Sequence, residues 1–287
     1  MITPRAPLST DATPRHYDEL DRFYRELWGE HLHHGLWTTG RETPEQAVVA
    51  LARLVAERAG VRPGVHVCDV GCGYGATARL LAREYGACVT ALTIAPAQHA
   101  YATSHDDGEG DNPRYLLRDW LANALPSASF DAAIAIESTE HMADKARALT
   151  ELARVLRPGG RAVVCAWLSA GAPSRAQRHW LLEPICREGR LPGLGTEAEY
   201  HALFAGAGFV LERIEDVSRR VRRTWPICIR RLAAALVREP SYRRFLSGSE
   251  HADRVFAITL PRIWMACLTG AMRYVVFTAR RERRSSA

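Results

Sequence analysis

Nine residues from Val67 to Gly75, VCDVGCGYG, constrain this chain more than any other stretch. They follow a hydrophobic run, place glycines at 71, 73 and 75, and lead into the helix-like ATARLLAREYG of residues 76–86. A strand, a glycine turn and a helix start in that order let the backbone approach a nucleotide-like ligand, because side chains there would occupy its space. The spacing Gly71-x-Gly73-x-Gly75 differs from the Gly-x-Gly-x-x-Gly of dinucleotide sites. It points to S-adenosylmethionine, whose methionine end carries no pyrophosphate, and so to methyl transfer. Asp69, ending the strand, is placed to meet the cationic amino group of a methionine moiety, with Cys72 inside the turn.

The rest of the pattern supplies a frame for this motif. Strand-like runs fall at Val65–Val70, Cys88–Leu92, Arg114–Leu117, Ala132–Ile136 and Arg161–Trp167. Helical segments separate them, among them Lys145–Leu156, closed by Arg157-Pro-Gly-Gly160. Phe209–Glu215 and Tyr274–Ala279 add two later strands. This alternation predicts an α/β fold: a doubly wound, mostly parallel, Rossmann-like seven-stranded sheet with N-terminal helices and a C-terminal helical lid insertion. Residues 1–15, rich in Pro and Thr, read as a loose tail and 281–287 as a basic tail. Between them 16–280 forms one domain: a helical cover (16–62), a cofactor-binding core (63–168) and a substrate lid (169–273).

Ligands of such sheets bind at the carboxyl ends of the strands. After the second strand the chain reads Leu92-Thr93-Ile94-Ala95, without the acid that commonly holds ribose hydroxyls. Thr93, Ile94 and Gln98 take that place among the expected cofactor contacts, which weakens an NAD reading. After the third strand, Asp119 can accept from an adenine amino group and Trp120 can pack on the ring; a turn acid and a core Trp are the plainer alternative.

Composition narrows the class. At 287 residues and 47% hydrophobic, the chain can bury one large core. Its seven cysteines are scattered, odd in number and without a Cys-x-x-Cys pair, so they read as reduced and the compartment as cytoplasmic. The net charge of +6 is carried almost wholly by arginine, clustered at Arg219–Arg223 and Arg280–Arg284. Without an RNA-binding motif, that charge is no argument for a nucleic-acid partner. Pro261, Arg262 and Arg273 interrupt the apolar stretch Val255–Ala279, so it is no membrane span. It reads as lid core or a dimer face, with peripheral rest on a bilayer as the side hypothesis.

Several stretches together resemble the tocopherol methyltransferase family: WGEHLHHGLW (Trp28–Trp37), the glycine motif, VTALTIAPAQ (Val89–Gln98), ESTEHM (Glu137–Met142), TWPICIRR (Thr224–Arg231) and the closing TGAMRYVVFTAR. The likeness runs over roughly residues 17–280. It implies a class I S-adenosylmethionine-dependent methyltransferase acting on a small hydrophobic or aromatic molecule, on carbon or oxygen of a phenolic or prenylated metabolite. Relatives in the family act on nitrogen. It also implies Thr93 as that family's own replacement for the ribose acid, whereas Ala95 stands where the family favours Ser. Trp225 falls in its lid motif.

For the chemistry, Glu137, Glu140 and His141 follow the fourth strand, beside the expected methyl position. His141 is the candidate general base and Glu137 its assistant, also touching the cofactor; capping of the next helix is the alternative for Glu140 and His141. Tyr24, Trp28, His31, His33, His34, Trp37, Glu140 and Trp225 are candidate substrate contacts. The three histidines lack the further ligands that a metal would need, so no metal is expected. The competing enzyme reading is C-methylation of an alkene or prenyl diphosphate, with Arg219–Arg223 holding the diphosphate.

Overall fold

A computed structural model describes residues 1–4, 12–106, 112–247 and 256–283. Helices α1 (Ala12–Glu19), α2 (Asp21–Leu27) and α3 (Pro44–Ala59) precede the sheet. The core follows as β1 (His66–Val70), α4 (Ala76–Tyr85), β2 (Cys88–Thr93), α5 (Pro96–Ser104), β3 (Arg114–Leu117), β4 (Phe130–Ile136), α6 (Lys145–Val155) and β5 (Leu156–Ser169). Short helices α7 (Arg175–Gln177) and α8 (Glu183–Glu188) flank a wide helical turn at Arg178–Leu182. Then come α9 (Glu197–Gly206), β6 (Phe209–Asp216), α10 (Ser218–Val221), α11 (Thr224–Arg238), α12 (Pro240–Ser247), α13 (Phe256–Leu268) and β7 (Met272–Arg281).

The strands form one sheet in the order β3-β2-β1-β4-β5-β7-β6. Strands β1 to β5 run parallel, and β7 inserts antiparallel between β5 and β6. The expected fold class is the one observed. From β1 the chain winds outward through β2 and β3, then returns to lay β4 on the other side of β1. That reversal opens a crevice at the carboxyl ends of β1 and β4, where Asp69 and Glu137 lie.

Burial explains why these strands were visible as continuous apolar runs. Val67, Cys68, Val70 and Ala132–Ala135 are covered on both faces, as parallel strands under helices must be. One face packs on α3 and α4 through Leu51, Val55 and Leu81; the other packs on α6 and α9 through Leu149, Leu152 and Phe204. A third apolar cluster joins Leu27 of the cover to Ile185, Trp225, Leu232, Leu260 and Ile263 of the lid. Local signals set the helix ends: Thr43 and Gln46 form a reciprocal cap on α3, Pro44 opens it, and Gly60 closes it in the left-handed conformation.

Three boundary expectations need correction. The loose tail is anchored at its start, where Ile2 is buried and pairs antiparallel with Leu194, and Ala12 already begins α1. The basic tail begins later, because Arg281 still pairs with Phe209 in the sheet and its guanidinium donates to the Leu156 carbonyl. Helix α6 stops at Val155, and β5 starts at Leu156 by pairing with Phe130 and bulging through Pro158-Gly159-Gly160. No helix among the described residues is long and apolar enough to cross a membrane.

Candidate active site

The crevice at the strand ends is one wall of a cavity of about 720 Å³, closed by the N-terminal cover and by the lid. Its floor is the glycine turn. Gly71, Gly73 and Gly75 have φ of +80°, +55° and +79°, which side chains rarely adopt. At Gly71 an added Cβ would also collide with Ser138, whose hydroxyl donates to the Val70 carbonyl at 2.6 Å. The amides of Gly71 and Cys72 both donate to the Leu92 carbonyl, tying the turn to the end of β2. Gly75 caps α4 against Tyr115 and does not line the cavity.

Asp69 lies beneath this turn with 2% of its surface exposed, and its Oδ2 has no hydrogen-bond partner. Burial pushes its carboxyl up to about 7. A buried carboxylate lacking a donor, beside a backbone cradle, fits a ligand that brings its own cation. Around it, Cys72, Gly73, Thr93, Ile94, Gln98, Asp119 and Trp120 line the same cavity. Thr93 Oγ1 donates to Gln98 Oε1 at 2.7 Å and accepts from the Ala95 amide, so Thr93 acts by orienting Gln98. Asp119 accepts from the Leu121 amide, and Trp120 Nε1 donates to the Ala148 carbonyl. Both residues therefore satisfy the plainer alternative while still facing the cavity.

The second half of the cavity lies between cover and lid. Tyr24, Trp28, His31, His33, His34, Glu140, His141 and Trp225 all line it. Trp37 does not: its indole packs over Gly35, donates to the Glu42 carbonyl, and borders a separate cavity between α2, α3 and α11. His31 Nδ1 and His33 Nε2 are 3.1 Å apart and share Thr77 as a neighbour. Burial drives His31 down to about 3, so this pair is neutral and bonds internally. Among the described residues no group of three or more His, Cys, Asp or Glu side chains is placed to hold a metal ion.

Glu137 is not free to assist a base. It sits at φ +53° after β4 and accepts from the His34 amide (2.7 Å), His34 Nδ1 (2.9 Å) and the Tyr274 hydroxyl (2.8 Å) on one oxygen. Trp167 Nε1 donates to the other at 3.0 Å. Burial alone would raise this carboxyl, but His34's charge and hydrogen bonds outweigh it and hold it below the usual range. The residue ties cover, β5 and β7 together. We expect Glu137→Ala, which leaves four donors without their acceptor, to cost about 3 kcal/mol or more of stability, read as a lowered urea midpoint.

His141 lines the same cavity beside Glu140. Burial lowers it to about 3, so its ring is neutral, and Nε2 bonds the Tyr17 hydroxyl at 3.0 Å. Its neighbour Glu140 accepts from the Trp167 amide, and burial pushes its carboxyl up to about 7. The sequence reading missed Tyr17, Trp167 and the lid residues Ile185, Leu191, Thr259 and Ile263, as well as Thr3 and Pro4. Tyr17 had a signal, its helical spacing to Tyr24, but that spacing reads equally as core.

A sequence profile described as a methyltransferase domain matches residues 68–164, from the strand holding Asp69 into β5. The 27-O-demethylrifamycin SV methyltransferase of Amycolatopsis mediterranei is 31% identical over 272 residues, an alignment spanning 92% of this chain and 95% of that protein. This chain belongs to the class I S-adenosylmethionine-dependent methyltransferases. The chloroplastic tocopherol O-methyltransferase of Arabidopsis thaliana is 28% identical over 286 residues, spanning 92% of this methyltransferase and 80% of that protein. A crystal structure of the [4+2]-cyclase SpnF superposes with a TM-score of 0.79 at 27% identity, covering 98% of each chain. Tocopherol enzymes are thus one of several similar groups. The methyltransferase uses S-adenosylmethionine on a small molecule. When bound, that cofactor supplies an electrophilic methyl group on a sulfonium.

Proposed function

We propose that this methyltransferase alkylates a hydroxyl on an apolar, ring-bearing metabolite such as a prenylated phenol or a polyketide. The carrying observation is the charge of the acceptor half. Among the described residues, Arg118 is the cavity's one Arg or Lys, and it lies at the end of β3 with its guanidinium on the Asn123 carbonyl. The walls facing the acceptor are Tyr17, Trp28, Trp167, Ile185, Leu191, Trp225 and Ile263. A neutral, flat, hydrophobic molecule suits such walls; a diphosphate has no cation there.

The arginines offered for a diphosphate face elsewhere. Arg220 donates to Thr38 Oγ1 and Arg223 to the Gly40 carbonyl, pinning the loop ahead of α3. The relatives' names, an O-methyltransferase of tocopherol and a methyltransferase of an O-demethyl rifamycin, support oxygen as the acceptor atom.

In this reading Asp69 holds the cofactor's ammonium, and the glycine turn and Gln98 seat its remainder. Trp28, Trp167 and Trp225 exclude water and fix the acceptor ring in line with the reacting carbon. His141 would take the hydroxyl proton at Nε2, where Tyr17 now bonds, as the oxygen–methyl bond forms and the methyl–sulfur bond breaks to leave a neutral thioether. Incubation with radiolabelled S-adenosylmethionine and two acceptors, γ-tocopherol and geranyl diphosphate, tests the class. Label is expected in the phenol and not in the diphosphate. Label transferred to the diphosphate instead would overturn the reading.

A further inference from the structure

Of the 38 lysines and arginines in this chain, Lys145 is the one lysine. It is 3% exposed and opens helix α6. A helix start is the positive end of the dipole, and α6 has no acid in its first turn. Asp144, the N-cap, turns its carboxylate to the Arg147 amide. A cation at this place is therefore disfavoured both by burial and by the dipole, and its position calls for a local cause.

The cause is two backbone carbonyls. Lys145 Nζ donates to Met142 at 3.0 Å and to Glu140 at 3.3 Å, the residues on either side of His141. The turn that carries His141 spans only Thr139–His141, and its own bonds, from the His141 and Met142 amides, are both 3.2 Å long. Its first half is held from outside: Thr139 Oγ1 bonds the Tyr200 hydroxyl at 2.9 Å, and Glu140 accepts from the Trp167 amide. From His141 onward the ammonium is the clamp. An ammonium suits this task, because it is compact and its three donors reach diverging carbonyls, whereas a guanidinium delivers its donors in a fixed planar fork. Lys145 does not line the cavity, so it can act on the reaction only through a neighbour.

Its charge reaches the ring as well. Around His141 stand His16 and Tyr17 of α1, Glu137 and Glu140 after β4, Lys145, and the Arg190 carbonyl. Burial is the main cause that keeps the ring from holding a proton, and His16 and Lys145 push the same way; the Arg190 carbonyl and Glu137 oppose them. On Lys145 itself, burial opposes the charged form, while Glu140 and Cys186 favour it.

We propose that Lys145 is the positioning residue of His141, fixing its turn through the two flanking carbonyls and setting a positive charge beside its ring. The proposal rests on the reading of His141 as proton acceptor. A ring that is fixed in place and holds no proton beforehand can receive one, and the same charge then favours its release.

Two double-mutant cycles test this. In the first, turnover is read with radiolabelled S-adenosylmethionine and γ-tocopherol. Lys145→Met is expected to lower kcat about tenfold or more, with KM and S-adenosylhomocysteine affinity unchanged. Placed on His141→Ala, the same substitution should cost less than about threefold, because the group it acts through is gone. The second cycle needs no acceptor. His141→Phe should stabilise the intact chain at pH 5 and not at pH 8; on Lys145→Met that gain should shrink, because a neutral neighbour lets the folded ring hold its proton more readily. General loss of folding would cost as much with His141 as without it. Should Lys145→Met not fold, Lys145→Gln, which keeps an N–H donor and no charge, is read in the second cycle. An equal cost in both backgrounds, an unchanged kcat or an undiminished gain at pH 5 overturns the proposal. Normal turnover by His141→Ala would instead overturn the reading of His141, with the acceptor-free cycle still deciding whether Lys145 governs the ring.

Discussion

Replacing Asp69 by Asn is expected to lower affinity for S-adenosylhomocysteine by about a hundredfold or more while making the ligand-free protein more stable at pH 8. The binding loss follows from the partnerless Oδ2 under the glycine turn, the one anionic contact proposed for the cofactor's ammonium. Removing one member of a buried charge pair costs about 3–5 kcal/mol. The stability gain comes from the same burial. In the free protein burial raises the carboxyl to about 7, from an unfolded value near 3.8. A folded state that holds its proton more tightly loses stability as pH rises through that window, by up to about 4 kcal/mol above it. Asn carries no charge to bury, so at pH 8 it should recover about 1–2 kcal/mol, roughly 4 °C in thermal midpoint, and nothing at pH 4.

Binding carries a matching signature. The ammonium needs the ionised carboxylate, so affinity of the intact protein should rise about tenfold per pH unit up to 7 and then level off. Calorimetric titrations of both proteins from pH 5 to 8 check this, with the Asn variant flat across the range. An Asn variant that binds like the original would remove Asp69 from the site. The strain that Asp69 stores without ligand is the cost of a cation site built at the centre of a parallel sheet.

How much of this was legible beforehand depended on whether a residue's role was local. The glycine turn, Asp69 and the strands around them were readable because each is fixed by its near neighbours: strand burial gives an unbroken apolar run, and positive φ demands glycine. The six cover and lid residues besides Trp37 that were named for the acceptor lie on helices or loops that the sequence did not join to one another, yet all line the cavity. The likeness to tocopherol methyltransferases grouped them, since HLHHG, ESTEHM and TWP have no shared periodicity.

Roles set by distant partners were illegible. Glu137 looks like an available acid from its position after β4, and only the fold brings His34, Trp167 and Tyr274 onto it. Trp37 looks like its neighbour Trp28, but its indole packs over Gly35 and borders only the separate cavity between α2, α3 and α11. Ile2, a lone apolar residue among Pro and Thr, offers no pattern at all, although its pairing with Leu194 helps to seat Thr3 and Pro4 in the cavity wall.

His141→Ala is expected to reduce kcat by about a hundredfold to ten-thousandfold, the range for loss of a positioned proton acceptor, with S-adenosylhomocysteine affinity unchanged. The proposed cofactor contacts lie on β1, β2, β3 and the turns that follow them, whereas His141 lies on the turn after β4, so the two functions should separate. Tyr17→Phe is the informative partner. It removes the bond to Nε2 but leaves the base, so it should change kcat far less and shift KM, because the acceptor hydroxyl competes for the same nitrogen. The pH profile distinguishes chemistry from structure. Burial holds the His141 ring near 3, so it should contribute no acid limb between pH 5 and 8. A limb in kcat/KM near 7 should instead follow the two buried carboxyls of the cavity, Asp69 and Glu140, and persist in any active His141 variant. Stability gives an independent reading: the unfolded ring takes its proton near 6.5 and the folded ring does not, so His141 costs stability increasingly as pH falls below 6.5. That cost is about 2 kcal/mol at pH 5, and His141→Phe should recover part of it there and none at pH 8. Loss of cofactor affinity in the Ala variant, or unchanged turnover, would remove His141 from its place as proton acceptor.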